Sequence, residues 1–208
     1  MSAEAGCRFY ERYLGTETTN VGTLEAAEFV KLAGMIYRDV NIGLANQLAE
    51  YAEDANIEIW PILAAANTDG ETSLLRPSIG VGGHCTPVYP HFLIRDAERR
   101  GINLSMAVIG RSVNDQQPFR AVERLSAYLG GLADKTVHIL GLAFRPGVRE
   151  DAMSPAYQLQ DALKKMGAQV TLEDPLFSHL EIATCGFTPS TVGESKPEAV
   201  ILNTAHEV

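Results

Sequence analysis

The longest uninterrupted pattern in the sequence runs from Leu24 to Glu53. This stretch contains no proline, and its apolar residues recur at helical spacing around much of the circumference. Thr23 stands directly before it and can cap the first turn. The pattern predicts one long, largely buried helix, which at about 1.5 Å per residue would reach about 40 Å. A helix of that length can form a dimer contact, so we expect a homodimer through residues 24–53.

A long loop follows this helix. Residues 67–90 are rich in Gly, Pro, Ser and Thr and have neither a helical nor a strand period. Loops of that length inside compact domains usually bind or catalyse. The helices predicted around the loop cover residues 57–66, 91–100 and 104–129, the last of them punctuated by Pro118.

Beyond Gly130 and Gly131 the pattern changes to alternating strands and helices. The predicted elements are strands at 136–140, 169–173 and 199–202, and a helix that Ser154 and Pro155 open and that runs to Met166. Strands that alternate with helices predict a parallel sheet. The expected fold class is therefore α/β overall, with an all-helical central dimerisation domain followed by a doubly wound parallel α/β domain.

Charge and cysteine content exclude several classes of function. The net charge of −9 leaves no basic surplus for a nucleic-acid backbone. The 3 cysteines are too few and too widely spaced for a disulfide framework or a zinc knuckle. No run of about 18 apolar residues predicts a membrane span, and the N-terminus lacks the pattern of a signal peptide. We therefore expect no nucleic-acid partner, no membrane and a cytoplasmic location.

Two residues are candidates for chemistry. Cys85 follows a glycine-rich run, whose backbone could approach a ligand and bring oxyanion donors near a substrate carbon. A structural turn with an inert thiol is the alternative interpretation. Lys31 lies between apolar residues on the long helix, where partial desolvation would suit proton transfer. It could equally extend to solvent beside Glu28.

Three segments together resemble one family, the UDP-glucose/GDP-mannose dehydrogenases, which are nucleotide-sugar 6-dehydrogenases. Residues 24–46 are similar to the central helix of these enzymes, residues 80–90 to their cysteine loop, and residues 137–146 to the start of their C-terminal domain. Ser154-Pro155, Gly167 and Asp174-Pro175 follow in the same order as in the family. The resemblance extends from Leu24 to the C-terminus.

The resemblance implies an NAD-dependent enzyme that oxidises the C6 alcohol of a UDP-sugar twice, to the uronic acid. Cys85 would carry a thiohemiacetal and then a thioester that water hydrolyses, and Lys31 would stabilise the oxyanion or order the water. Phe144 and Arg145 match residues that stack on and pair with the nucleotide. His84 before the cysteine resembles the UDP-N-acetylhexosamine branch. The remaining substrate-binding candidates are Gly80, Gly82 and Gly83.

Three positions depart from the family pattern. Met35 stands where the family commonly has asparagine, and Tyr89 stands where it commonly has an acidic residue after the cysteine. Both missing groups are associated with the proton and the water, so their replacement bears on the hydrolytic half of the reaction. Ala152 replaces an arginine, and Arg149 nearby is the candidate to take over its contact with the cofactor.

The sequence has no Gly-x-Gly-x-x-Gly turn of a dinucleotide-binding site. In the family the NAD domain precedes the central helix, so we expect NAD to be bound mainly outside this chain and the chain alone to be inactive. The expected domains are residues 1–22 as the tail of an NAD-binding domain, residues 23–130 as the helical central domain with the cysteine loop, and residues 131–208 as an incomplete UDP-sugar-binding domain.

Two alternatives remain. The chain could be a non-catalytic nucleotide-sugar-binding or dimerisation module derived from such an enzyme. A metal site from His84, Cys85 and His91 is disfavoured, because adjacent histidine and cysteine ligands fit a tetrahedral site poorly. We therefore expect no metal.

Overall fold

The computed structural model of the protein describes residues 2–207. Its contacts divide these residues into two units, with the division between Gly34 and Met35. In chain order the elements are α1 (Ser2–Leu14), α2 (Leu24–Asp54), α3 (Ile59–Ala66), α4 (Tyr89–Arg99), α5 (Ser105–Leu129), β1 (Thr136–Leu140), α6 (Pro155–Lys165), β2 (Gln169–Glu173), α7 (His179–Thr184), α8 (Val192–Ser195) and β3 (Ala199–Leu202).

The predicted long helix is confirmed as α2, and Thr23 caps it by accepting the N–H of Ala26 through Oγ1 at 3.1 Å. The prediction that this helix is largely buried is wrong. Leu24, Phe29 and Val30 are more than half exposed, at 81%, 53% and 59%. The apolar positions run around the whole circumference of α2, so one packed side cannot cover them all.

The helix α5 continues through Pro118, which is buried.

Three further helices, α1, α7 and α8, lie outside the predicted set. Both α7 and α8 begin with a capping box, formed by Ser178 with Glu181 and by Thr191 with Glu194. That spacing of Ser or Thr three residues before Glu is a start signal that the sequence already contains.

The predicted parallel sheet is confirmed, with the strand order β2-β1-β3. On one face Val137 and Ile139 of β1 are fully buried in the core, which also includes Leu159 and Leu163 of α6. On the other face the His138 ring lies within 3.4 Å of the Ser195 hydroxyl at the end of α8. Helices thus cover both faces, as a doubly wound domain requires.

A buried polar network joins α2 to α5. Arg111 donates from Nη1 to Oδ1 of Asp39 at 2.6 Å, and Asn114 donates from Nδ2 to both the carbonyl and the carboxylate of Asp39 at 2.8 Å. Burial raises the pKa of Asp39 above its ordinary value, against the opposing effect of Arg111. The two helices approach closely at Gly110, which has no Cβ. A Cβ there would lie only 2.9 Å from Cα of Val40.

Three asparagines hold the irregular segment at residues 73–78. Asn41 accepts the N–H of Leu75 at 2.9 Å and donates to the carbonyl of Ser73 at 2.7 Å. Asn67 makes both bonds to the backbone of Leu74, at 2.7 and 2.9 Å. Asn46 links the segment to the network on α5: it accepts the N–H of Ser78 at 2.8 Å and donates to Asn114 at 2.9 Å. These side chains give the backbone of the segment the hydrogen bonds that a neighbouring strand or a helical turn would otherwise provide.

None of the helices within residues 2–207 is long and apolar enough to span a membrane. The domain boundaries expected after residues 22 and 130 stay predictions.

Replacing Arg111 tests the network. We expect Arg111→Met to lower the free energy of unfolding by about 3–5 kcal/mol, because the Asp39 carboxylate would be left buried without its cation. The matched control is Arg95→Met, which removes an exposed arginine whose pair with Glu98 spans 3.9 Å and should cost less than about 1 kcal/mol. Urea denaturation of both variants measures the difference. Equal losses would contradict the assigned role of Arg111.

Candidate functional site

The glycine-rich run before Cys85 packs against the loop that follows β1. A Cβ on Gly82 would lie 2.6 Å from Cβ of Phe144, and a Cβ on Gly83 would lie 2.9 Å from Cε2 of the same ring. Gly83, at a φ of +94°, also donates its N–H to the carbonyl of Ala152 at 2.8 Å. The glycines therefore permit contact between two loops of the protein, and the Gly83 N–H is not available as an oxyanion donor.

Gly80 fits into a second tight contact of the same kind. A Cβ there would lie 2.7 Å from Cγ of Pro155 and 3.3 Å from Cγ of Pro118. The first of these prolines begins α6 and the second lies inside α5. The cysteine loop is thus seated on the helical part and on the α/β part of the same unit.

Cys85 is half-buried and lies just before α4. Its carbonyl accepts the N–H of Tyr89 at 2.8 Å, which places Tyr89 one helical turn later on the same side of the chain. The hydrogen bond to Cys85 is the main cause that raises the pKa of the Tyr89 phenol above its ordinary value. The thiol therefore has a phenol as its neighbour.

The residue after the cysteine contacts Met35. The hydroxyl of Thr86 lies 4.0 Å from Sδ of Met35, and both residues are buried. The position where the family commonly has asparagine is therefore next to the cysteine loop. A thioether is a weak acceptor and donates no hydrogen bond.

His84 points to an acidic residue. Its Nε2 lies 3.4 Å from Oε2 of Glu150, and His84 is exposed. The other oxygen of Glu150 accepts the N–H of Ala152 at 3.1 Å. This contact is a second link between the cysteine loop and the loop after β1.

Phe144 and Arg145 form an aromatic and cationic pair beside the glycines. The Arg145 guanidinium carbon lies 5.7 Å from the centre of the Phe144 ring, and Arg145 is exposed while Phe144 is half-buried. An exposed guanidinium suits a phosphate, and a ring face suits a planar base. Of the predicted site residues, the fold brings Gly82 and Gly83 into contact with Phe144.

The other two predicted site residues are Arg149 and Lys31. Arg149 donates from Nε to the carbonyl of Leu176 at 2.9 Å, pairs with Glu181 and lies 5.5 Å from the Phe177 ring centre. Its guanidinium is therefore already engaged beside α7. Lys31 lies on the exposed first half of α2, in the unit before Met35. The roles predicted for both residues stay predictions.

The loop after β1 does not fit a dinucleotide. In dinucleotide folds the backbone at the first βα turn binds the pyrophosphate. Here the N–H groups of Leu142 and Ala143 donate instead to Oδ2 of Asp174, at 2.7 and 2.9 Å. That oxygen also lies 3.1 Å from Nε2 of His206. An internal carboxylate thus uses the donors that a pyrophosphate would need.

No three His, Cys, Asp or Glu side chains within residues 2–207 are grouped so that they could hold a metal ion. Two features that shape the site were not predicted from the sequence: the Asp39 network and Glu150 beside His84. The short polar residues Asp39, Asn41 and Asn46 in the middle of α2 were a signal for the first. Nothing local in the sequence indicates Glu150.

Two profiles of one family match the sequence. The central domain of the UDP-glucose/GDP-mannose dehydrogenase family matches residues 25–116, and the UDP binding domain of that family matches residues 138–208. The chain is similar to a UDP-N-acetyl-D-mannosamine dehydrogenase of Methanocaldococcus jannaschii, with 32% identity over 83% of this chain and 39% of that protein. It is also similar to an NDP-N-acetyl-D-galactosaminuronic acid dehydrogenase of Ralstonia nicotianae, with 27% identity over 99% of this chain and 48% of that protein.

Solved structures give the same picture. A UDP-glucose dehydrogenase from Pyrobaculum islandicum superposes with a TM-score of 0.90 and 25% identity over 99% of this chain and 49% of that one. A UDP-D-ManNAc dehydrogenase from Pyrococcus horikoshii superposes with a TM-score of 0.87 and 26% identity over 99% of this chain and 48% of that one. The chain spans less than half the length of each of these four proteins.

Replacing Gly82 tests the seating of the cysteine loop. We expect Gly82→Ala to lower the free energy of unfolding by roughly 1–3 kcal/mol, because the new methyl group must push Phe144 or the backbone aside. Gly193→Ala is the control, since a Cβ there meets nothing within 4 Å and should change stability by no more than about 1 kcal/mol. Urea denaturation measures both. Equal stability of the two variants would contradict the packing described for Gly82.

Proposed function

The chain belongs to the UDP-glucose/GDP-mannose dehydrogenase family, and on that premise we propose that it carries the nucleophile and the UDP-sugar-binding surface of an NAD-dependent UDP-sugar 6-dehydrogenase. Its substrate is a UDP-N-acetylhexosamine. Two observations support this sugar: His84 precedes Cys85, and relatives acting on N-acetyl sugars are among the matches.

One observation carries the proposal. The turn at Gly82 and Gly83 packs directly on Phe144, so the loop with the thiol and the loop with the aromatic and cationic pair form one surface. The Arg145 guanidinium then pairs with the diphosphate and the Phe144 ring stacks on the nucleotide. The sugar attached to that diphosphate extends toward Cys85.

The chemistry assigned to this chain takes place at Cys85. Its thiolate adds to the C6 aldehyde: a C–S bond forms, the π bond of the carbonyl breaks, and the oxygen takes a proton from solvent to become the hydroxyl of a thiohemiacetal. The thioester present after the second oxidation is hydrolysed when water adds to the carbonyl carbon, and sulfur leaves with the electron pair of the C–S bond. By resemblance Lys31 stabilises the oxyanion in these steps.

The hydride acceptor of the family is NAD⁺. Because Asp174 uses the backbone donors after β1, this loop does not fit that cofactor. No hydride step is therefore assigned to residues 2–207.

A second candidate function is a non-catalytic nucleotide-sugar-binding module. Met35 and Tyr89 favour it, because they place a thioether and a phenol at positions where the family handles water. The two functions differ in whether the Cys85 thiol reacts with the sugar. Both include binding of the nucleotide, so both predict UDP binding through Arg145.

We also infer that two copies of the chain pair through α2. Tyr37, Leu44 and Tyr51 are 56%, 46% and 70% exposed on this helix, which is a large apolar surface for one helix to leave in water. Light scattering at micromolar concentration should give a dimeric mass. A monomeric mass would contradict this inference.

Binding of UDP tests the proposed function. Saturation-transfer NMR, which detects weak ligands, should show contact between UDP and the 208-residue chain. Arg145→Ala should weaken binding roughly tenfold or more, because a hydrogen bond from a cation to a phosphate is lost. Arg99→Ala is the control and should bind as the parent chain does. Absence of a UDP signal, or equal binding by the Arg145 variant, would contradict the proposal.

A further inference from the structure

Glu150 lies between the two loops of the proposed site and contacts both. Its Oε2 lies 3.4 Å from Nε2 of His84, the residue before Cys85. Its Oε1 accepts the N–H of Ala152 at 3.1 Å. Its backbone carbonyl accepts the N–H of Phe144 at 3.1 Å. One residue therefore holds two points of the loop after β1 and also contacts the residue beside the thiol.

The turn that follows Glu150 receives the cysteine loop. The carbonyl of Ala152 accepts the N–H of Gly83 at 2.8 Å, and a Cβ on Gly82 would lie 3.0 Å from the carbonyl oxygen of Met153. Met153 has a φ of +51°, a left-handed backbone that residues other than glycine rarely adopt. Such a conformation persists only where its surroundings fix it. The bond from Ala152 to the Glu150 carboxylate is one of the contacts that fix this turn.

The contact of Glu150 with His84 has its main effect on geometry. The two side chains are 40% and 71% exposed, and an exposed pair contributes little to stability. Its consequence is that a single carboxylate spans from the loop after β1 to the residue next to the thiol. The length of that side chain therefore limits how the two loops can be placed relative to each other.

We propose that Glu150 is a positioning residue that sets the register between the cysteine loop and the loop after β1. A sugar nucleotide held by Phe144 and Arg145 reaches Cys85 only when the two loops are correctly placed. The inference rests on the proposed function for the ligand and the thiol. It adds that the Glu150 side chain determines where the sugar lies relative to Cys85.

One NMR experiment separates the nucleotide half of the ligand from the sugar half. Saturation-transfer spectra of UDP-N-acetylglucosamine with the 208-residue chain should show contact at the uridine protons and at the sugar protons. The ratio of the two signals reports the position of the sugar. A variant that only lowers the folded fraction or the affinity lowers both signals together, so it does not change this ratio.

Two variants of Glu150 separate the length of the side chain from its charge. Glu150→Gln keeps the length, and its amide can still accept from Ala152 and donate to the imidazole of His84, so the ratio should equal that of the parent chain. Glu150→Asp keeps the charge but is one methylene shorter, so it cannot keep both contacts unless one loop moves. Its sugar signals should fall several-fold relative to the uridine signals. Glu123→Asp makes the same change at an exposed glutamate on α5 and should leave the ratio unchanged.

Each outcome bears on the inference. An unchanged ratio in Glu150→Asp overturns it. An equal fall in Glu150→Gln also overturns it, because charge and not position would then be responsible. If Glu150→Asp does not fold, Glu150→Ala, which removes both side-chain contacts, takes its place. These results leave the uridine signals in place, whereas a parent chain that shows no uridine signal overturns the proposed function itself.

Discussion

The buried contact of Asp39 with Arg111 and Asn114 is the interaction on which the rest of the site depends. It fixes α2 against α5, and through Asn46 it reaches the backbone N–H of Ser78. The segment leading to the cysteine has no helix or strand of its own, so its course is set by Asn41 and Asn46 of α2 and by Asn67, the residue after α3. A buried ion pair adds little net stability, because both charges lose their water. What this pair does is hold α2 in one position against α5.

From that anchor two loops are brought together. After the residues bound by the asparagines, Gly80 of the cysteine loop packs against Pro118 of α5 and Pro155 of α6. Gly82 and Gly83 of the same loop pack against Phe144. The loop after β1 is held from the other side by Asp174, whose carboxylate binds its backbone. The same carboxylate shapes the surface proposed for the sugar nucleotide. It also occupies the backbone donors that the pyrophosphate of a dinucleotide would need in this loop.

Most elements could be predicted from the sequence, because proline-free helical periodicity and short β-branched runs act locally. The three strands and the start of α6 at Ser154 followed from such signals. The degree of burial of α2 could not be predicted. Apolar residues around much of a helix do not indicate whether the same chain or a second chain packs against them. In the site, the glycine-rich run indicated close approach but not its object. Gly80 meets Pro155 and Pro118, and Gly82 and Gly83 meet Phe144, so the object is other parts of the protein rather than a ligand. Glu150 became part of the site only through its contact with His84, which the fold creates.

We propose that Cys85 and the Phe144-Arg145 pair form one sugar-nucleotide site. The direct measurement is the rate at which iodoacetamide alkylates each thiol, followed by peptide mass spectrometry with and without saturating UDP-N-acetylglucosamine. We expect the sugar nucleotide to slow alkylation of Cys85 several-fold, because the bound sugar covers this thiol. Alkylation of Cys185, whose thiol donates to Asp151 at 3.6 Å, should stay unchanged. Equal alkylation of Cys85 in the presence and absence of the sugar nucleotide would contradict the proposal.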